Sequence, residues 1–400
     1  MLNRKIKIAF LMQESRMGGA EFNALAMAEG LDKDKFEIYF ICPRHGKLIE
    51  KCEEFKIPYH IIRCPKFFST SFQFGERMVI LNPFALIYDI FIVIFLGIKY
   101  KAFFTKLNFD IISTKGILAN FYGSLSKIGS DMKCVWDMQE VIDKKRALGL
   151  LRLAADMGAY FFADHIIAAS KAIRDQFRAP VWKKIDIVYN GVSFKKFDPG
   201  KTSGIKIRKE FNIRNEQIII GHIARFTYWK GQLDFIRAAD LIHKRYPEVV
   251  FFLVGDSVFE NSNYKELLIK NIKKYNLQDK IILPGFREDI PDILAAIDIF
   301  VHSSIEAEGC PLTVIYAMAM EKAIIATDVP GTNEVIFSKE GVLVPPASPG
   351  YIAEAIDGLI SPPARRKELG KIARKKAMEL FSIEKSILET ENIFLRLQNA

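Results

Sequence analysis

The sequence predicts an α/β fold with two parallel sheets, one in each half of the chain. Short apolar runs alternate with helical stretches, as they do when strands are buried beneath helices on both faces of a parallel sheet. The alternation stops at a turn-rich segment near the middle and then starts again. A length of 400 residues also suits two domains better than one.

Six apolar runs of the first half are predicted strands. The first run is followed by a glycine pair and by the helical stretch 20–31, and the later runs repeat this order. The predicted strands are 6–12, 36–42, 57–63, 109–114, 134–138 and 165–170.

A boundary follows at residues 184–200, which contain Asn190-Gly191 and end in Asp198-Pro199-Gly200. These are turn and linker residues. The strands predicted after it are 218–226, 249–255, 280–285, 298–304, 323–329 and 341–346. The C-terminal stretch is helical in spacing, with a break at Phe381 and Ser382.

The nearly continuous apolar segment 78–98 is long enough to suggest a membrane helix. Asn82, Pro83 and Asp89 lie inside it, and a carboxylate near its centre is costly in lipid. Only about fifteen residues follow Pro83, which is short for a span. A buried core helix, an interfacial helix and a true span therefore remain open.

Charge and cysteine usage narrow the class of protein. Residues 1–200 carry 30 Lys and Arg against 21 Asp and Glu, whereas residues 201–400 carry 27 against 26. A basic first half attracts phosphate-rich partners, or simply keeps the chain soluble. Five cysteines without a CxxC pair predict reduced thiols in a cytoplasmic protein, and the six histidines predict no metal site. The N-terminus does not resemble a signal peptide.

Gly18 and Gly19 form the first candidate site, directly after the first strand and at the start of a helix. Glycines let a ligand approach the backbone, and the N–H groups of a helix N-terminus favour anions. A simple tight turn between strand and helix is the alternative.

Arg225 and Lys230 form the second candidate site, at the end of the first strand of the second half. Ligands of open α/β sheets bind at the carboxyl ends of strands, and these two cations suit a diphosphate leaving group. Two solvated surface cations are the alternative.

Glu308 forms the third candidate site, at a turn with Gly309 and Pro311 that opens a buried helix. Its carboxylate can accept hydrogen bonds from sugar hydroxyls, or can merely stabilise a helix N-terminus. Since all three sites follow strands in two halves, we expect them to meet in an interdomain cleft.

With these motifs in this order, the chain resembles the retaining glycosyltransferases of family four (glycosyl transferases group 1). That family has the GT-B architecture, in which the parallel sheets of two Rossmann-like domains face each other across a cleft. The resemblance covers almost the whole chain and is strongest over 184–336. It rests on GGAE, VYNGVSFKKFDP, IARFTYWKG, LVGD, LPGFREDIP, DIFVHSSIEAEGCPLTVIYAMAM and AIIATDVPGTNEVI.

The resemblance implies a hexosyltransferase whose donor is a nucleotide-diphosphate sugar and which needs neither a cofactor nor a metal. It implies an acceptor-binding domain over 1–190, a donor-binding domain over 191–380, and a helix over 381–400 that crosses back to the first domain. The implied catalytic residues are Arg225, Lys230 and Glu308. The implied donor-binding residues are Gly18, Gly19, Gly285, Phe286, Arg287, Gly309, Cys310, Pro311, Leu312 and Tyr316.

Two positions depart from the family pattern. Tyr316 stands where the family usually has a second Glu that holds the ribose hydroxyls, and a phenol cannot accept two hydrogen bonds as a carboxylate does. On the acceptor side Gln139, followed by Glu140, stands where a His is frequent, and an amide cannot shuttle protons near neutrality. A non-catalytic or weakly active sugar-nucleotide-binding protein is therefore the main alternative function.

The first half also suggests the acceptor. Residues 65–106 are basic and apolar, which suits an anionic membrane surface and a glycan or lipid-linked acceptor of the cell envelope. This predicts a cytoplasmic protein at the inner face of the membrane. The aromatic residues concerned are Phe67, Phe68, Phe72, Phe74, Phe103 and Phe104.

Other classes fit the sequence less well. A sugar-nucleotide epimerase of similar fold is disfavoured by the spacing of Arg225, Lys230 and Glu308. A nicotinamide oxidoreductase would need a GxGxxG turn, which follows none of the strands. Nucleic-acid binding would rest on charge alone.

Overall fold

A computed structural model describes residues 4–65, 67, 71–74, 77–142, 149–257, 263–337 and 339–399, with the backbone alone for 71–74 and 77–81. Phe68 therefore lies outside the described residues, and the side chains of Phe72 and Phe74 are not described. The described chain forms two compact units. The first comprises Met1–Tyr189 and Ser386–Ala400, and the second comprises Asn190–Lys385.

The first unit is built on a parallel sheet with the strand order β3-β2-β1-β6-β7-β8-β9. A separate antiparallel pair is formed by β4 and β5. The strands are β1 (Ile6–Met12), β2 (Phe36–Cys42), β3 (Tyr59–Ile61), β4 (Ser71–Phe74), β5 (Arg77–Leu81), β6 (Ile111–Lys115), β7 (Lys133–Met138), β8 (His165–Ala168) and β9 (Ile185–Ile187).

Helices cover this sheet, since its central strands are almost completely buried. They are α1 (Gly19–Gly30), α2 (Lys47–Glu54), α3 (Pro83–Lys106), α4 (Ile117–Ser126), α5 (Leu150–Phe162), α6 (Lys171–Arg174) and α7 (Ala179–Trp182). Helix α4 packs against both α3 and α5.

Helix α3 contains most of the apolar segment 78–98, for which the sequence left three roles open. Asn82 caps it by accepting a hydrogen bond from Ala85 N at 3.1 Å, and Pro83 is its first residue. It has 24 residues, so the expected length of about fifteen was wrong. By length and hydropathy this helix could cross a membrane, with 33% of its most apolar window buried.

One face of α3 is buried and the other is exposed. Asp89, Leu96 and Tyr100 lie on the buried face, so the carboxylate that is costly in lipid points into the protein. The opposite face is apolar, with six side chains that are 48% to 82% exposed, and α3 is therefore not a wholly buried core helix. We call this face the α3 outer face: Phe84, Ile87, Phe91, Ile94, Phe95 and Ile98.

The second unit repeats the plan with a parallel sheet in the order β12-β11-β10-β13-β14-β15. Its strands are β10 (Ile219–Ile223), β11 (Val250–Val254), β12 (Ile281–Gly285), β13 (Ile299–His302), β14 (Ala323–Thr327) and β15 (Val342–Val344). Its helices are α8 (Ile205–Glu210), α9 (Gln232–His243), α10 (Tyr264–Lys274), α11 (Ile290–Ala296), α12 (Leu312–Ala319), α13 (Thr332–Val335), α14 (Pro349–Ile360) and α15 (Pro363–Leu380), with a 3-10 turn at Tyr228–Lys230.

The last helix, α16 (Ile383–Gln398), follows a break at Phe381 and Ser382. From Ser386 onward it belongs to the first unit. Glu391 accepts a hydrogen bond from Asp32 N at 2.7 Å, and the rings of Phe394 and Phe36 meet edge to face. The C-terminal residues are therefore part of the first unit's core.

The predicted α/β fold with two parallel sheets is confirmed, and each predicted strand overlaps an observed one. Two strand pairings were not among the predicted strands. The segment taken for linker contains β9, which pairs with β8 at the sheet edge, and residues 71–81 contain the β4–β5 pair. The sequence pattern does not predict strand β9 because this strand has only three residues and stands close to the turn residues Asn190-Gly191.

Candidate active site

The strand order of the second unit creates a crevice between β10 and β13. From β10 the chain proceeds to β11 on one side, and β13 then pairs with β10 on the other side. Ligands of open α/β sheets bind at such a switch point, beyond the carboxyl ends of the strands. Arg225 and Lys230 follow β10 and Glu308 follows β13, so the fold brings the predicted catalytic residues to this point.

Lys230 and Glu308 form a buried ion pair. Lys230 Nζ donates to Glu308 Oε1 at 2.6 Å and to Oε2 at 2.8 Å. The Glu308 side chain is 5% exposed and that of Lys230 is 15% exposed. Lys230 Nζ also lies 4.1 Å from the centre of the Trp229 ring, so its positive charge has an aromatic neighbour.

The two charges shift each other's ionisation. Burial would raise the pKa of Glu308, but the Lys230 ammonium and His302 outweigh it and hold that pKa far below its usual value. Burial lowers the pKa of Lys230, Glu308 opposes this shift, and the Arg225 charge adds to it. Arg225 is thus within electrostatic reach of Lys230, while its own side chain is exposed.

The backbone that carries Lys230 is held tightly. Ser303 Oγ donates to Gly231 O at 2.9 Å, and His222 Nε2 donates to Lys230 O at 3.2 Å. Gly231 has a φ of 69°, and a Cβ atom there would lie 1.8 Å from Ser303 O. Only glycine fits this position, because the conformation is left-handed and the carbonyl is so close.

The turn that carries Glu308 is equally constrained. Glu308 N donates to Pro330 O at 2.9 Å, and a Cβ atom on Gly331 would lie 2.1 Å from Glu308 O. The Ser304 hydroxyl donates to Glu308 Oε1, and His302 Nε2 lies 3.3 Å from the same oxygen. The carboxylate is therefore held at the crevice by backbone and side chains together.

Sequence reasoning did not identify His302 and Ser304. Both are buried, and they sit at the carboxyl end of β13. The available signal was the change from the apolar run DIFV to the polar residues HSS just before Glu308. Such polar residues at the end of a buried strand point to the ligand edge of the sheet.

The predicted residues after β12 have mixed surroundings. Gly285 ends this strand with open space beside its Cα, and Phe286 is exposed. The Arg287 side chain pairs with Glu210 at 2.6 Å and with Asp289 at 2.6 Å. Backbone and ring are accessible here, whereas the Arg287 guanidinium is already occupied by two carboxylates.

The predicted residues after Glu308 lead into α12. Pro311 precedes this helix and Leu312 is its first residue, while Gly309 and Cys310 are buried in the turn. Cys310 O accepts a hydrogen bond from Asn190 Nδ2 at 3.2 Å. Burial raises the pKa of the Cys310 thiol to about 12, so it stays protonated.

Tyr316 lies on α12 and stacks on Phe197. The ring centres are 4.2 Å apart and the planes are 18° apart. Burial raises the pKa of the Tyr316 phenol to about 12, which keeps it neutral. This position offers an aromatic surface and one hydroxyl, where the family pattern has a carboxylate.

The corresponding edge of the first unit also carries polar residues. Gly18 precedes α1 and Gly19 begins it, after β1. Lys115 is the last residue of the neighbouring strand β6. It forms a buried ion pair with Asp137, which lies next to the last residue of β7. Sequence reasoning did not identify this pair, since each charge follows an ordinary apolar run.

Gln139 and Glu140 follow β7. Gln139 Nε2 donates to Asp137 Oδ1 at 2.6 Å, and Gln139 Oε1 is buried without a hydrogen-bond partner. Glu140 is exposed. Across the described part of the chain, no group of three or more His, Cys, Asp or Glu side chains is arranged to hold a metal ion.

Comparisons with known proteins agree with this architecture. The family described as Glycosyl transferases group 1 matches residues 204–376, and Glycosyltransferase Family 4 matches residues 17–196. The chain is thus a glycosyltransferase of the GT-B type, an enzyme of the hexosyltransferase type that the sequence predicts. The two matches together take in most of the chain, and it belongs to glycosyltransferase family 4, of the group 1 glycosyl transferases.

Two relatives match along their full length. An uncharacterized glycosyltransferase of Methanocaldococcus jannaschii is 26% identical over 99% of this chain and 100% of the relative. The UDP-Gal:alpha-D-GlcNAc-diphosphoundecaprenol alpha-1,3-galactosyltransferase of Escherichia coli is 24% identical over 98% of this chain and 97% of the relative.

Solved structures show the same fold. The Anabaena protein Alr3699/HepE in complex with UDP and glucose has a TM-score of 0.81 to this chain. The two are 22% identical, and the match covers 97% of this chain and 99% of that structure. At this identity the similarity shows the fold alone.

Proposed function

We propose that this chain is a retaining glycosyltransferase that moves a sugar from a nucleotide-diphosphate sugar to a glycan or lipid-linked acceptor. The acceptor belongs to cell-envelope polysaccharide or lipopolysaccharide synthesis, at the cytoplasmic face of the membrane. The reaction uses no cofactor and no metal ion, and the donor is a substrate.

The buried Lys230–Glu308 pair, with Arg225 in electrostatic reach of it, carries this proposal. Two cations at the mouth of a parallel sheet suit a diphosphate, since a guanidinium forks onto phosphate oxygens and an ammonium adds a point charge. The adjacent carboxylate suits the hydroxyls of the sugar. This is the combination of groups that a nucleotide-diphosphate sugar requires.

The chemistry follows from these roles. An oxygen of the acceptor hydroxyl forms the new bond to the anomeric carbon, and the bond from that carbon to the diphosphate oxygen breaks. Arg225 and Lys230 stabilise the charge that develops on the departing diphosphate. The departing phosphate takes the acceptor proton on the same face of the sugar, so the anomeric configuration is retained.

The acceptor part of the proposal draws on the relatives and on the first unit. The Escherichia coli relative carries a diphosphoundecaprenol acceptor in its name, and the Anabaena structure holds UDP and glucose. In this chain Gln139 and the Lys115–Asp137 pair stand at the carboxyl edge of the first sheet. Amide and carboxylate groups there suit an acceptor rich in hydroxyls.

The α3 outer face supports a place at the membrane. Its exposed phenylalanines and isoleucines recur at three- and four-residue spacing, and Lys99, Lys101 and Lys106 follow them toward the end of the helix. Helix α5, which packs on α4 as α3 does, also leaves Leu153 and Phe161 exposed. An apolar stripe beside cations is suited to the headgroup region of an anionic bilayer.

Ligand-induced thermal stabilisation tests the donor site. UDP-glucose, UDP-galactose, GDP-mannose and ADP-glucose are screened, and at least one is expected to raise the melting temperature because it binds only the folded protein. Arg225→Ala and Lys230→Ala should abolish the shift, whereas Lys274→Ala, an exposed lysine on α10, should preserve it. A shift that survives in both site variants contradicts the proposed donor site.

Product formation separates transfer from mere binding. The neutral phenol of Tyr316 and the amide of Gln139 stand where the family pattern has Glu and His, which favours a weakly active or non-catalytic binding protein as the second candidate. Incubation of the stabilising nucleotide sugar with diphosphoundecaprenol-linked glycans should yield a glycosylated lipid and free nucleotide. A folded, donor-binding chain without any product would support the second candidate.

Vesicle flotation tests the membrane part. The intact protein should float with vesicles of phosphatidylcholine and phosphatidylglycerol, and less with phosphatidylcholine alone. Replacing Phe84, Phe91 and Ile98 by Ser should prevent flotation. The matched control replaces three exposed apolar residues of the second unit by Ser: Ile205, Tyr351 and Met378. Equal flotation of both variants would exclude α3 as the membrane surface.

A further inference from the structure

The two oxygens of Glu308 have different surroundings. Oε1 accepts hydrogen bonds from Lys230 Nζ and from the Ser304 hydroxyl, and His302 Nε2 lies 3.3 Å from it. Oε2 accepts from Lys230 Nζ alone among the hydrogen bonds of the described residues. The carboxylate therefore has one oxygen tied to β13 and the residues after it, and one oxygen tied only to the lysine.

His302 is an unused donor beside this carboxylate. Its side chain is 1% exposed, and its Nε2 has no hydrogen-bond partner despite the short distance to Glu308. Burial lowers the pKa of His302, so the ring is neutral and can carry a proton on Nε2. Because it ends β13, its position is fixed by the sheet.

Donor binding changes which groups compensate the buried charge of Glu308. In the proposed function Lys230 serves the diphosphate, so its ammonium can no longer belong to Glu308 alone. A buried carboxylate that loses its countercharge is strongly destabilised unless other groups hydrogen-bond to it. The Ser304 hydroxyl and the His302 ring are the neutral donors already placed at Oε1.

We propose that His302 and Ser304 are positioning residues that hold Glu308 Oε1 when Lys230 is drawn to the donor diphosphate. Oε2 is then free to accept a hydrogen bond from a hydroxyl of the donor sugar. The proposal rests on the proposed function, and it divides the carboxylate into an anchored oxygen and a sugar-binding oxygen. It predicts that removing either donor weakens sugar recognition, which needs Glu308 held in place, and also weakens diphosphate binding, which draws Lys230 away from Glu308.

The test compares each nucleotide sugar of the panel with its own nucleoside diphosphate by isothermal titration. For the wild-type chain, the sugar should add affinity beyond that of the diphosphate. His302→Leu should reduce this added affinity about tenfold, the expected loss for a hydrogen bond to a charged group. Its affinity for UDP, GDP or ADP should also fall, by up to about tenfold, since Glu308 then has one donor fewer when Lys230 turns to the diphosphate.

The matched variant is His302→Gln, whose Nε2 donates from nearly the same place and should restore the added affinity. If His302→Gln loses as much as His302→Leu, or if His302→Leu loses nothing, the positioning role is refuted. The added affinity of the sugar is also compared between Ser304→Ala, which lacks the hydroxyl, and Ser304→Thr, which keeps it. This second comparison tests the positioning role if His302→Leu does not fold. A wild-type chain that binds no nucleotide would instead refute the proposed function.

Discussion

Tyr316 and Phe197 stack with ring centres 4.2 Å apart, and this pair occupies the place where the family pattern has a ribose-binding carboxylate. The phenol is neutral, since its pKa is raised to about 12 by burial. This position therefore offers an aromatic ring and a single neutral hydroxyl in place of a carboxylate.

The donor role of Tyr316 predicts a graded loss. Tyr316→Phe keeps the stack but removes the hydroxyl, so affinity for the stabilising nucleotide sugar should fall about two- to tenfold. Tyr316→Ala also removes the ring and should weaken binding further and destabilise the second unit. Titration calorimetry and thermal unfolding measure the two effects. Unchanged affinity of the Phe variant would show that the hydroxyl does not contact the donor.

The Lys230–Glu308 pair predicts that removing one charge costs more stability than removing both. Lys230→Met leaves a buried carboxylate uncompensated and should lower the free energy of unfolding by about 3 kcal/mol. Adding Glu308→Leu removes that charge and should recover most of the loss, although donor binding is gone. Chemical denaturation measures both variants. Lys244→Met is the control: it removes a 65% exposed ammonium from a pair with Asp240 and should change stability by under about 1 kcal/mol.

Buried His222 predicts a loss of stability in acid. Burial and the neighbouring His302 lower its pKa to about 3, whereas an unfolded histidine titrates near pH 6.5. Between these values the unfolded chain binds a proton that the native chain does not, so the free energy of unfolding falls as the pH falls.

Replacing His222 by Gln tests this effect, because the amide can still donate to Lys230 O but does not titrate. Unfolding at several pH values from 7 to about 4 should show a weaker pH dependence for His222→Gln than for the wild type. His45 is exposed, so His45→Gln should leave the wild-type profile unchanged. Parallel profiles for the wild type and His222→Gln would contradict the prediction.

Gly231 and Gly350 form a matched pair of glycines. A methyl group on Gly231 would press on Ser303 O from a left-handed backbone, whereas one on Gly350 in α14 meets nothing within 4 Å. Gly231→Ala should therefore lower the free energy of unfolding by about 2 kcal/mol or more and weaken nucleotide binding. Gly350→Ala should stay within about 0.5 kcal/mol. Equal free energies of unfolding for Gly231→Ala and Gly350→Ala would disprove the constraint at Gly231.

The sequence allowed the strands and the Lys230–Glu308 neighbourhood to be predicted for a simple reason. Buried parallel strands are continuous apolar runs, and ligand residues follow their carboxyl ends, so both can be found by reading along the chain. Arg225, Lys230 and Glu308 all stand in the segments that follow such runs.

Other features depend on contacts between distant residues and left no local signal. The pairing of Lys115 with Asp137 follows from the register of β6 and β7, and the pattern of each strand alone is ordinary. The proximity of His302 Nε2 to Glu308 depends on how a turn of six residues folds back. The sequence left the role of helix α3 open because its two apolar faces give no periodic contrast, although only one of them is covered.

The membership of α16 in the first unit constrains how this enzyme can be cut and recombined. A fragment ending at Tyr189 would lack Ile387, whose methyl group fills the space beside Gly30, and Phe394, which packs on Phe36. A chimera that exchanges the second unit between relatives must therefore keep the C-terminal tail of the parent that supplies the first unit. The first unit is built from two separate segments of the chain, and both segments have to come from the same parent.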